Sequence, residues 1–213
     1  MVYKAYIFDL DGTLLDTIAD LVAATNAVLT DHNMPTHTKE EILNYVGSSG
    51  ATLLSKAAPP ATSAEELDEM YVQWEKYLDE YGTRMTCAYV GIPELLSALK
   101  AKGARLAVLS NKPDSAAKLA IEEKLPGMFD FVHGRCDEFP RKPDPTGLNK
   151  LLGELGVSAK ESLYIGDSAN DVGVARAAGV QFVGVAWGYG QFEGLYDDAP
   201  ECIVSHPEEI LGL

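Results

Sequence analysis

Two carboxylates stand one residue apart near the start of the chain, in the segment YIFDLDGTLLDT, residues 6–17. Asp9 and Asp11 follow a run of bulky apolar residues, and Gly12 comes directly after them. Residues two apart in a strand point to the same face, so both side chains could act on one substrate. The glycine would let the chain turn sharply after the pair. Carboxylates arranged in this way suit a nucleophile beside a general acid or base.

Three later segments could complete such a site. They supply a hydroxyl and an amide, then a lysine, then two further carboxylates: Ser110 and Asn111, Lys142, and Asp167 and Asp171. Crowded carboxylates repel one another unless a cation neutralises them. Oxygen ligands suit a hard ion such as Mg2+, which commonly takes one or two carboxylates together with a substrate phosphate. Lys142 would add a point charge for that phosphate, and Ser110 with helix N–H groups would bind its oxygens.

This combination of residues predicts phosphoryl transfer. One aspartate, held against the metal, could attack phosphorus and form an acyl phosphate. The other could protonate the leaving oxygen and then activate the water that cleaves the intermediate.

A parallel sheet would bring these residues together. Segments rich in β-branched and aromatic residues alternate with helical patterns. The predicted strands cover residues 5–10, 105–109, 129–133, 162–165, 181–186 and 202–204, and the predicted helices cover 93–102, 114–124, 145–155 and 171–178. This alternation predicts an α/β fold, a Rossmann-like three-layer core with a parallel sheet. Ligands bind such sheets at the carboxyl ends of the strands, where the polar segments lie.

Residues 17–81 break the alternation, because they contain helical patterns only. Thr38 and Ser63 each precede a glutamate by three residues, which fits the capping box at a helix start. The sequence therefore predicts an α/β catalytic core in residues 1–15 and 83–213. A small all-helical cap domain, residues 16–82, would be inserted after the first strand.

Composition and charge narrow the range of partners. The formal net charge of -15 would repel nucleic acid and anionic membranes, so neither is an expected partner. The three cysteines are widely spaced, and the N-terminal segment shows no signal-peptide pattern, so a cytoplasmic location is expected. The expected partner is a small-molecule phosphate ester. The sequence does not fix the oligomeric state, for which a monomer is the default.

The chain resembles the haloacid dehalogenase superfamily across nearly its whole length. The matching motifs, in order, are DLDGT (9–13), LSN (109–111), RKPDP (141–145) and GDSAND (166–171), each after a predicted strand. The resemblance implies that Asp9 is the nucleophile and that Asp11 is the general acid and base. Ser110 and Lys142 would bind the phosphoryl group.

The same resemblance implies a bound Mg2+ ion. Its ligands would be the Asp9 carboxylate, the Asp11 backbone carbonyl and the Asp167 carboxylate. Asp171 would serve the metal site from the surrounding shell and orient Lys142. Thr13, at the turn, and Asn111 are placed with Ser110 among the predicted substrate-binding residues.

Within this superfamily the residues favour a phosphatase. Members that remove halogen lack the second aspartate, so Asp11 argues against a dehalogenase. The segment VGSSGATLL, residues 46–54, resembles the cap turn of phosphoglycolate-phosphatase-like hydrolases, so Gly47, Ser48 and Ser49 are predicted to contact substrate. The segment has no arginine, which counts against a sugar phosphomutase. That mutase and a non-catalytic phosphate-ester-binding module remain the alternatives.

Overall fold

The computed structural model describes residues 3–46, 49–190, 192, 200 and 202–213. The chain divides into two compact units. The first, called the core unit here, combines the chain up to Asp16 with the chain from Cys87 onward. The second, the helical unit, is Thr17–Thr86.

The strands and helices follow one another with short connections. In chain order they are β1 (Ala5–Phe8), β2 (Leu15–Asp16), α1 (Ile18–Asp31), α2 (Lys39–Tyr45), α3 (Gly50–Ala57), α4 (Ala64–Tyr81), β3 (Cys87–Ala88), α5 (Ile92–Ala101), β4 (Arg105–Pro113), α6 (Asp114–Lys124), β5 (Phe131–Arg135), α7 (Thr146–Leu155), a 3-10 helix (Ala159–Glu161), β6 (Ser162–Gly166), α8 (Ala169–Ala177), β7 (Gln181–Val185), β8 (Ile203–Val204) and a second 3-10 helix (Pro207–Gly212).

The core unit is built on a six-stranded sheet with the strand order β5-β4-β1-β6-β7-β8. All neighbouring strands in it are parallel. Phe8, at the end of β1, lies opposite Val108 of β4 on one side and Ile165 of β6 on the other. The chain extends the sheet first to one side of β1 and then to the other, which is the topology that places a ligand crevice at the strand ends. The predicted α/β class with a parallel sheet is confirmed.

Both faces of the sheet are covered by helices. Tyr6 and Phe8 of β1 pack into an apolar cluster with residues of α5 and α6. Ala5 and Ile7, which alternate with them, pack into a second cluster with residues of α7 and α8. A strand buried on both faces needs an apolar residue at every position, which explains the uninterrupted run before Asp9.

Several strand ends differ from the prediction for local reasons. β1 ends at Phe8, because the chain then turns and the Leu10 carbonyl accepts the N–H groups of Leu14 and Leu15. β4 runs beyond the predicted end to Pro113, with a shift of register against β5 after Leu109. β5 begins after Asp130, whose carboxylate accepts the Leu106 N–H at 2.8 Å in place of a strand partner.

Two short strands were not predicted. Leu15 and Asp16 of β2 pair antiparallel with Ala88 and Cys87 of β3. The chain leaves the core unit through β2 and returns to it through β3, so this two-strand ladder marks both ends of the helical unit.

The helical unit has its own apolar interior, to which α1, α3 and α4 each contribute buried side chains. The indole Nε1–H of Trp74 donates to the buried hydroxyl of Thr25 at 3.1 Å, which joins α4 to α1. The Trp74 ring also lies so close to Gly50 that a methyl group there would overlap it. The role of this unit as a cap stays a prediction.

The helix starts of this unit carry the predicted capping residues. The Thr38 hydroxyl accepts the Glu41 N–H at 3.3 Å, and the Glu41 carboxylate accepts the Thr38 N–H at 2.8 Å. Ser63 accepts the N–H of Glu66 at the start of α4. None of the described helices combines the length and the apolar character that crossing a bilayer requires.

Candidate active site

The loop after β1, residues 9–14, is fixed by a hydrogen bond to β6 and by a close approach to Asp167. Asp9 is buried, and its N–H donates to the Ile165 carbonyl of β6 at 2.9 Å, so its main chain is fixed by the sheet. Gly12 has a φ of +82°, in the left-handed region that favours glycine. A Cβ atom on Gly12 would overlap the Asp167 carboxylate, so the close approach also requires glycine.

Lys142 bridges two of the predicted acids. Its Nζ lies 2.7 Å from Asp9 Oδ1 and 2.7 Å from Asp171 Oδ1, and its side chain is only 3% exposed. The Asn111 amide fixes the main chain of the lysine, since its Oδ1 accepts the Lys142 N–H at 2.7 Å and its Nδ2 donates to the Lys142 carbonyl at 3.2 Å. Both ends of Lys142 are therefore oriented by side chains near the strand ends.

Asp171, at the start of α8, uses both of its oxygens within the protein. Its Oδ1 accepts from Lys142 at 2.7 Å and from the Tyr164 hydroxyl at 3.2 Å. Its Oδ2 accepts the N–H and the hydroxyl of Ser168, at 3.0 and 2.6 Å. A carboxylate engaged in this way suits the orientation of Lys142 better than direct binding of an ion.

Asp167, after β6, is held by two backbone segments. Its Oδ2 accepts the N–H of Tyr189 at 2.8 Å, and the Thr13 hydroxyl lies 3.4 Å from its Oδ1. The Trp187 indole donates to the Thr13 carbonyl at 3.0 Å, so the segment after β7 packs on the loop after β1. Gly188 allows this packing, because a Cβ atom there would overlap the Gly12 carbonyl.

Three acids crowd around the lysine. Asp9, Asp167 and Asp171 each present one carboxylate oxygen, and these oxygens all lie within 4.8 Å of one another. Burial, followed by repulsion from the Asp171 carboxylate, raises the pKa of Asp9 to about 7, although the nearby Lys142 ammonium opposes the shift. Burial, followed by repulsion from the Asp171 and Asp9 carboxylates, also raises the pKa of Asp167 well above its ordinary value.

For Lys142, the neighbouring charges together have a larger effect on the pKa than burial has. Burial alone would lower the pKa of its ammonium, but the Asp171 and Asp9 carboxylates outweigh burial and raise that pKa well above its ordinary value. The pKa of Asp9 rises chiefly because its carboxyl group is buried, whereas the pKa of Lys142 rises because carboxylates surround its ammonium. Lys142 therefore stays charged at neutral pH, whereas the raised pKa values of Asp9 and Asp167 favour the protonated form of these two acids in the absence of a further cation.

The donor set fits a hard divalent cation. Asp9 Oδ1 is buried and accepts no well-aligned hydrogen bond within the described residues, although the Lys142 ammonium lies 2.7 Å away. When all three carboxylates are ionised, the single Lys142 ammonium leaves two negative charges uncompensated. Oxygen ligands with this charge match the preference of Mg2+.

A second lysine approaches the pair of acids after β1. Lys112 Nζ lies 3.2 Å from Asp11 Oδ1, and the Lys112 N–H donates to the Ser110 hydroxyl at 3.2 Å. Ser110 is buried within β4, at the point where the register of β4 against β5 shifts. The chain therefore holds Ser110 and the Lys112 ammonium at the same edge as Asp11.

Three further substrate contacts were predicted in the segment before α3, at Gly47, Ser48 and Ser49. Gly47 and Ser48 lie outside the described residues. Ser49 belongs to the helical unit, where its hydroxyl caps α3 by accepting the Thr52 N–H at 3.1 Å. A substrate contact by Ser49, like one by Asn111 or Thr13, stays a prediction.

Several residues in this network were not expected from the sequence. They are Lys112, Tyr164, Ser168, Trp187 and Tyr189. For Ser168 a signal was present, because Ser168 and Asp171 have the spacing of a capping box and form one at the start of α8. The others reach the acids from separate strands and loops, and no local pattern in the sequence links them.

Comparison with known proteins places the chain in a family. A profile of haloacid dehalogenase-like hydrolases matches residues 6–185. The chain therefore belongs to the haloacid dehalogenase-like hydrolase family, and the resemblance carried by its four motifs is confirmed. The predicted enzyme class, a phosphoric monoester hydrolase, is supported by the same family and its relatives.

Individual relatives are similar over almost the whole chain. A Pseudomonas putida protein named phosphoglycolate phosphatase is 30% identical, over 98% of this chain and 78% of its own length. A crystal structure from Lactobacillus delbrueckii subsp. bulgaricus superposes with a TM-score of 0.90 at 32% identity, covering 99% of this chain and 97% of that one. A predicted phosphoglycolate phosphatase from Haemophilus somnus gives a TM-score of 0.87 at 29% identity, with coverage of 99% and 97%.

Proposed function

We propose that this chain hydrolyses a small phosphate monoester, phosphoglycolate or a compound like it, with Mg2+ and through an aspartyl-phosphate intermediate. The main support is the bridge from Lys142 to Asp9 and Asp171 at 2.7 Å, with the Asp167 carboxylate in the same cluster. The names of the relatives support the substrate class. A cytoplasmic location and a monomeric state stay predictions.

The metal would be held by the Asp9 carboxylate, the Asp11 carbonyl and the Asp167 carboxylate. When bound, it would supply positive charge to the phosphoryl oxygens and offset the repulsion among the acids. Asp171 would keep Lys142 in place, as its hydrogen bonds to Lys142, Tyr164 and Ser168 suggest.

In the first step, a carboxylate oxygen of Asp9 would attack phosphorus while the bond from phosphorus to the ester oxygen breaks. Asp11 would give its proton to that oxygen, so the leaving group departs with a hydroxyl group and not as an alkoxide. Lys142 and Ser110 would bind the phosphoryl oxygens during the transfer. The product on the protein is an acyl phosphate at Asp9.

In the second step, the Asp11 carboxylate would take a proton from a water molecule whose oxygen attacks phosphorus. The bond from phosphorus to the Asp9 oxygen then breaks, inorganic phosphate forms and the Asp9 carboxylate is restored. Asp11 ends the cycle protonated, as it began, so one proton carrier serves both steps.

The direct test is Asp9→Asn, with Asp68→Asn on the exposed side of α4 as a matched control. Inorganic phosphate released from phosphoglycolate and p-nitrophenyl phosphate measures turnover. We expect Asp9→Asn to lower kcat by on the order of 10³-fold or more with an unchanged circular dichroism spectrum, because no other group replaces the nucleophile. Near-normal turnover by a clean preparation of this variant would end the proposed mechanism.

Metal removal tests the cofactor separately. EDTA should stop the release of phosphate by the wild-type enzyme, and added Mg2+ should restore it. A phosphomutase would instead convert a sugar phosphate into its isomer with little free phosphate. A non-catalytic module would bind esters without turnover under any of these conditions.

A further inference from the structure

The ion pair between Lys112 and Asp11 lies beside the main acid cluster, and the proposed mechanism leaves Lys112 without a role. Lys112 Nζ is 3.2 Å from Asp11 Oδ1. The lysine side chain is only 10% exposed and that of Asp11 is 24% exposed. An ammonium that is this well covered is held by its partner much more firmly than a surface lysine would be.

The main chain directs Lys112 towards the site. Ser110 and Lys112 are two residues apart in β4, at the shift of register against β5. The Lys112 N–H donates to the Ser110 hydroxyl, which ties the lysine to a predicted phosphate ligand. β4 lies next to β1 in the sheet, which brings this end of β4 close to Asp11.

We propose that Lys112 is a positioning residue for proton transfer, an inference that depends on the proposed function. Lys112 holds Oδ1 of Asp11, so the carboxyl group keeps one orientation and presents Oδ2 to the leaving oxygen. In the first step the proton passes from Oδ2 to the ester oxygen as the bond between phosphorus and that oxygen breaks. Lys112 keeps all of its own protons and only donates a hydrogen bond.

The proposed role of Lys112 predicts that the loss of rate on replacing it depends on the leaving group of the ester. Alkyl phosphates need a proton on the departing oxygen, whereas p-nitrophenolate leaves readily without one. Misplacing a general acid lowers the rate only where its proton is needed. Because kcat/KM covers the steps up to formation of the acyl phosphate, it reports this difference even when hydrolysis of the intermediate limits kcat.

The experiment compares Lys112→Met with wild type on phosphoglycolate, glycerol phosphate and p-nitrophenyl phosphate. We expect kcat/KM to fall by roughly 10- to 100-fold for both alkyl esters and by less than about threefold for the aryl ester. Lys112→Arg, which keeps a cationic donor, should recover much of the loss. Lys118→Met is the matched control, since Lys118 pairs with Asp114 at 2.7 Å on the exposed surface of α6.

Two outcomes would overturn the role. An equal loss on all three esters would mean that Lys112 acts on the shared phosphoryl group or on folding. A loss confined to phosphoglycolate would mean that the lysine binds the substrate carboxylate. If Lys112→Met does not fold, Lys112→Gln takes its place and is read in the same way.

A double mutant separates this inference from the proposed function. In an Asp11→Asn background the proton donor is already gone, so Lys112→Met should cause no further loss specific to alkyl esters. An undiminished additional loss there contradicts the positioning role while leaving the Asp9 mechanism intact. Full activity of Asp9→Asn, in contrast, would remove the proposed function itself.

Discussion

At the scale of the residue, the main feature of the site is one lysine shared among several acids. Lys142 pairs with one oxygen of Asp9 and one of Asp171, but a single ammonium cannot neutralise three ionised carboxylates. Burial first, and then repulsion from the Asp171 carboxylate, raises the pKa of Asp9, because protonation removes a buried charge and relieves that repulsion. For Asp9 to act as the proposed nucleophile, a second source of positive charge would have to keep it ionised.

The raised pKa of Asp9 predicts how the metal-free protein responds to pH. The pKa rises from 3.8 to about 7 on folding, so the folded chain binds more protons than the unfolded chain between these values. The stability of the EDTA-treated protein should therefore fall as pH rises from about 4 to 7. Asp9→Asn, which resembles the protonated carboxyl, should fall less steeply when Tm is measured across this range.

The control for that measurement is Asp68→Asn, whose Tm profile should follow that of wild type. Added Mg2+ should also flatten the wild-type profile, because the cation replaces the bound protons. A slope that is the same in wild type and Asp9→Asn would show that Asp9 is not the group that titrates.

Residue types and spacing were sufficient to predict that Asp9, Asp167, Asp171 and Lys142 lie close together, because each follows a strand in a local motif. They could not predict Tyr164, which reaches Asp171 from the middle of β6, or Tyr189, whose backbone holds Asp167. These contacts depend on how β6 and the segment after β7 pack in three dimensions. Lys112 was not predicted, because no sequence pattern distinguishes a lysine just after a predicted strand from a lysine on the surface.

At the scale of the element, the turn after β1 depends on glycine for two reasons that can be separated. Gly12 and Gly103 have φ values of +82° and +80°, but a Cβ atom would overlap Asp167 only at Gly12 and would meet nothing within 4 Å at Gly103. Gly103→Ala should lose about 1–2 kcal/mol of stability from the left-handed backbone alone. Gly12→Ala should lose more, and should also bind Mg2+ more weakly.

Urea unfolding and calorimetric titration with Mg2+ measure these two effects. Equal losses of stability, with unchanged Mg2+ binding in Gly12→Ala, would contradict the contact between the turn and Asp167. A large loss in Gly103→Ala would instead show that the left-handed conformation alone explains both variants.

The helical unit offers a similar paired test on one helix. Thr25→Val removes the buried acceptor of the Trp74 indole N–H and should lower the free energy of unfolding by about 1–3 kcal/mol. Thr30→Val, at an exposed position of the same helix α1, should change it by less than about 0.5 kcal/mol. Urea denaturation followed by tryptophan fluorescence and circular dichroism provides the comparison, and equal effects would mean that the indole contact contributes little.

Element positions could be predicted where a periodic pattern is long enough. The alternating strands and helices of the core unit were predicted because buried parallel strands are apolar throughout and their helices are amphipathic. β2 and β3 were missed because two residues carry no detectable period. The longer β4 was missed because Ser110–Lys112 are polar, although they continue the strand towards the site.

At the scale of the whole molecule, the net charge of -15 should oppose compaction. Raising NaCl from about 10 mM to about 150 mM shortens the screening length from roughly 30 Å to roughly 8 Å. In the presence of EDTA we therefore expect Tm to rise by a few degrees over this range. Choline chloride should act like NaCl, and a Tm that stays constant or falls would show that repulsion is not limiting.

The antiparallel pairing of β2 with β3 places the two ends of the helical insert side by side. Residues 17–86 therefore leave and rejoin the core unit at adjacent positions, and they interrupt no strand of the main sheet. Because Asp16 lies opposite Cys87 in this ladder, a short hairpin turn would be sufficient to join them. A change in the length or sequence of residues 17–86 during evolution would therefore leave the strand order of the main sheet unchanged.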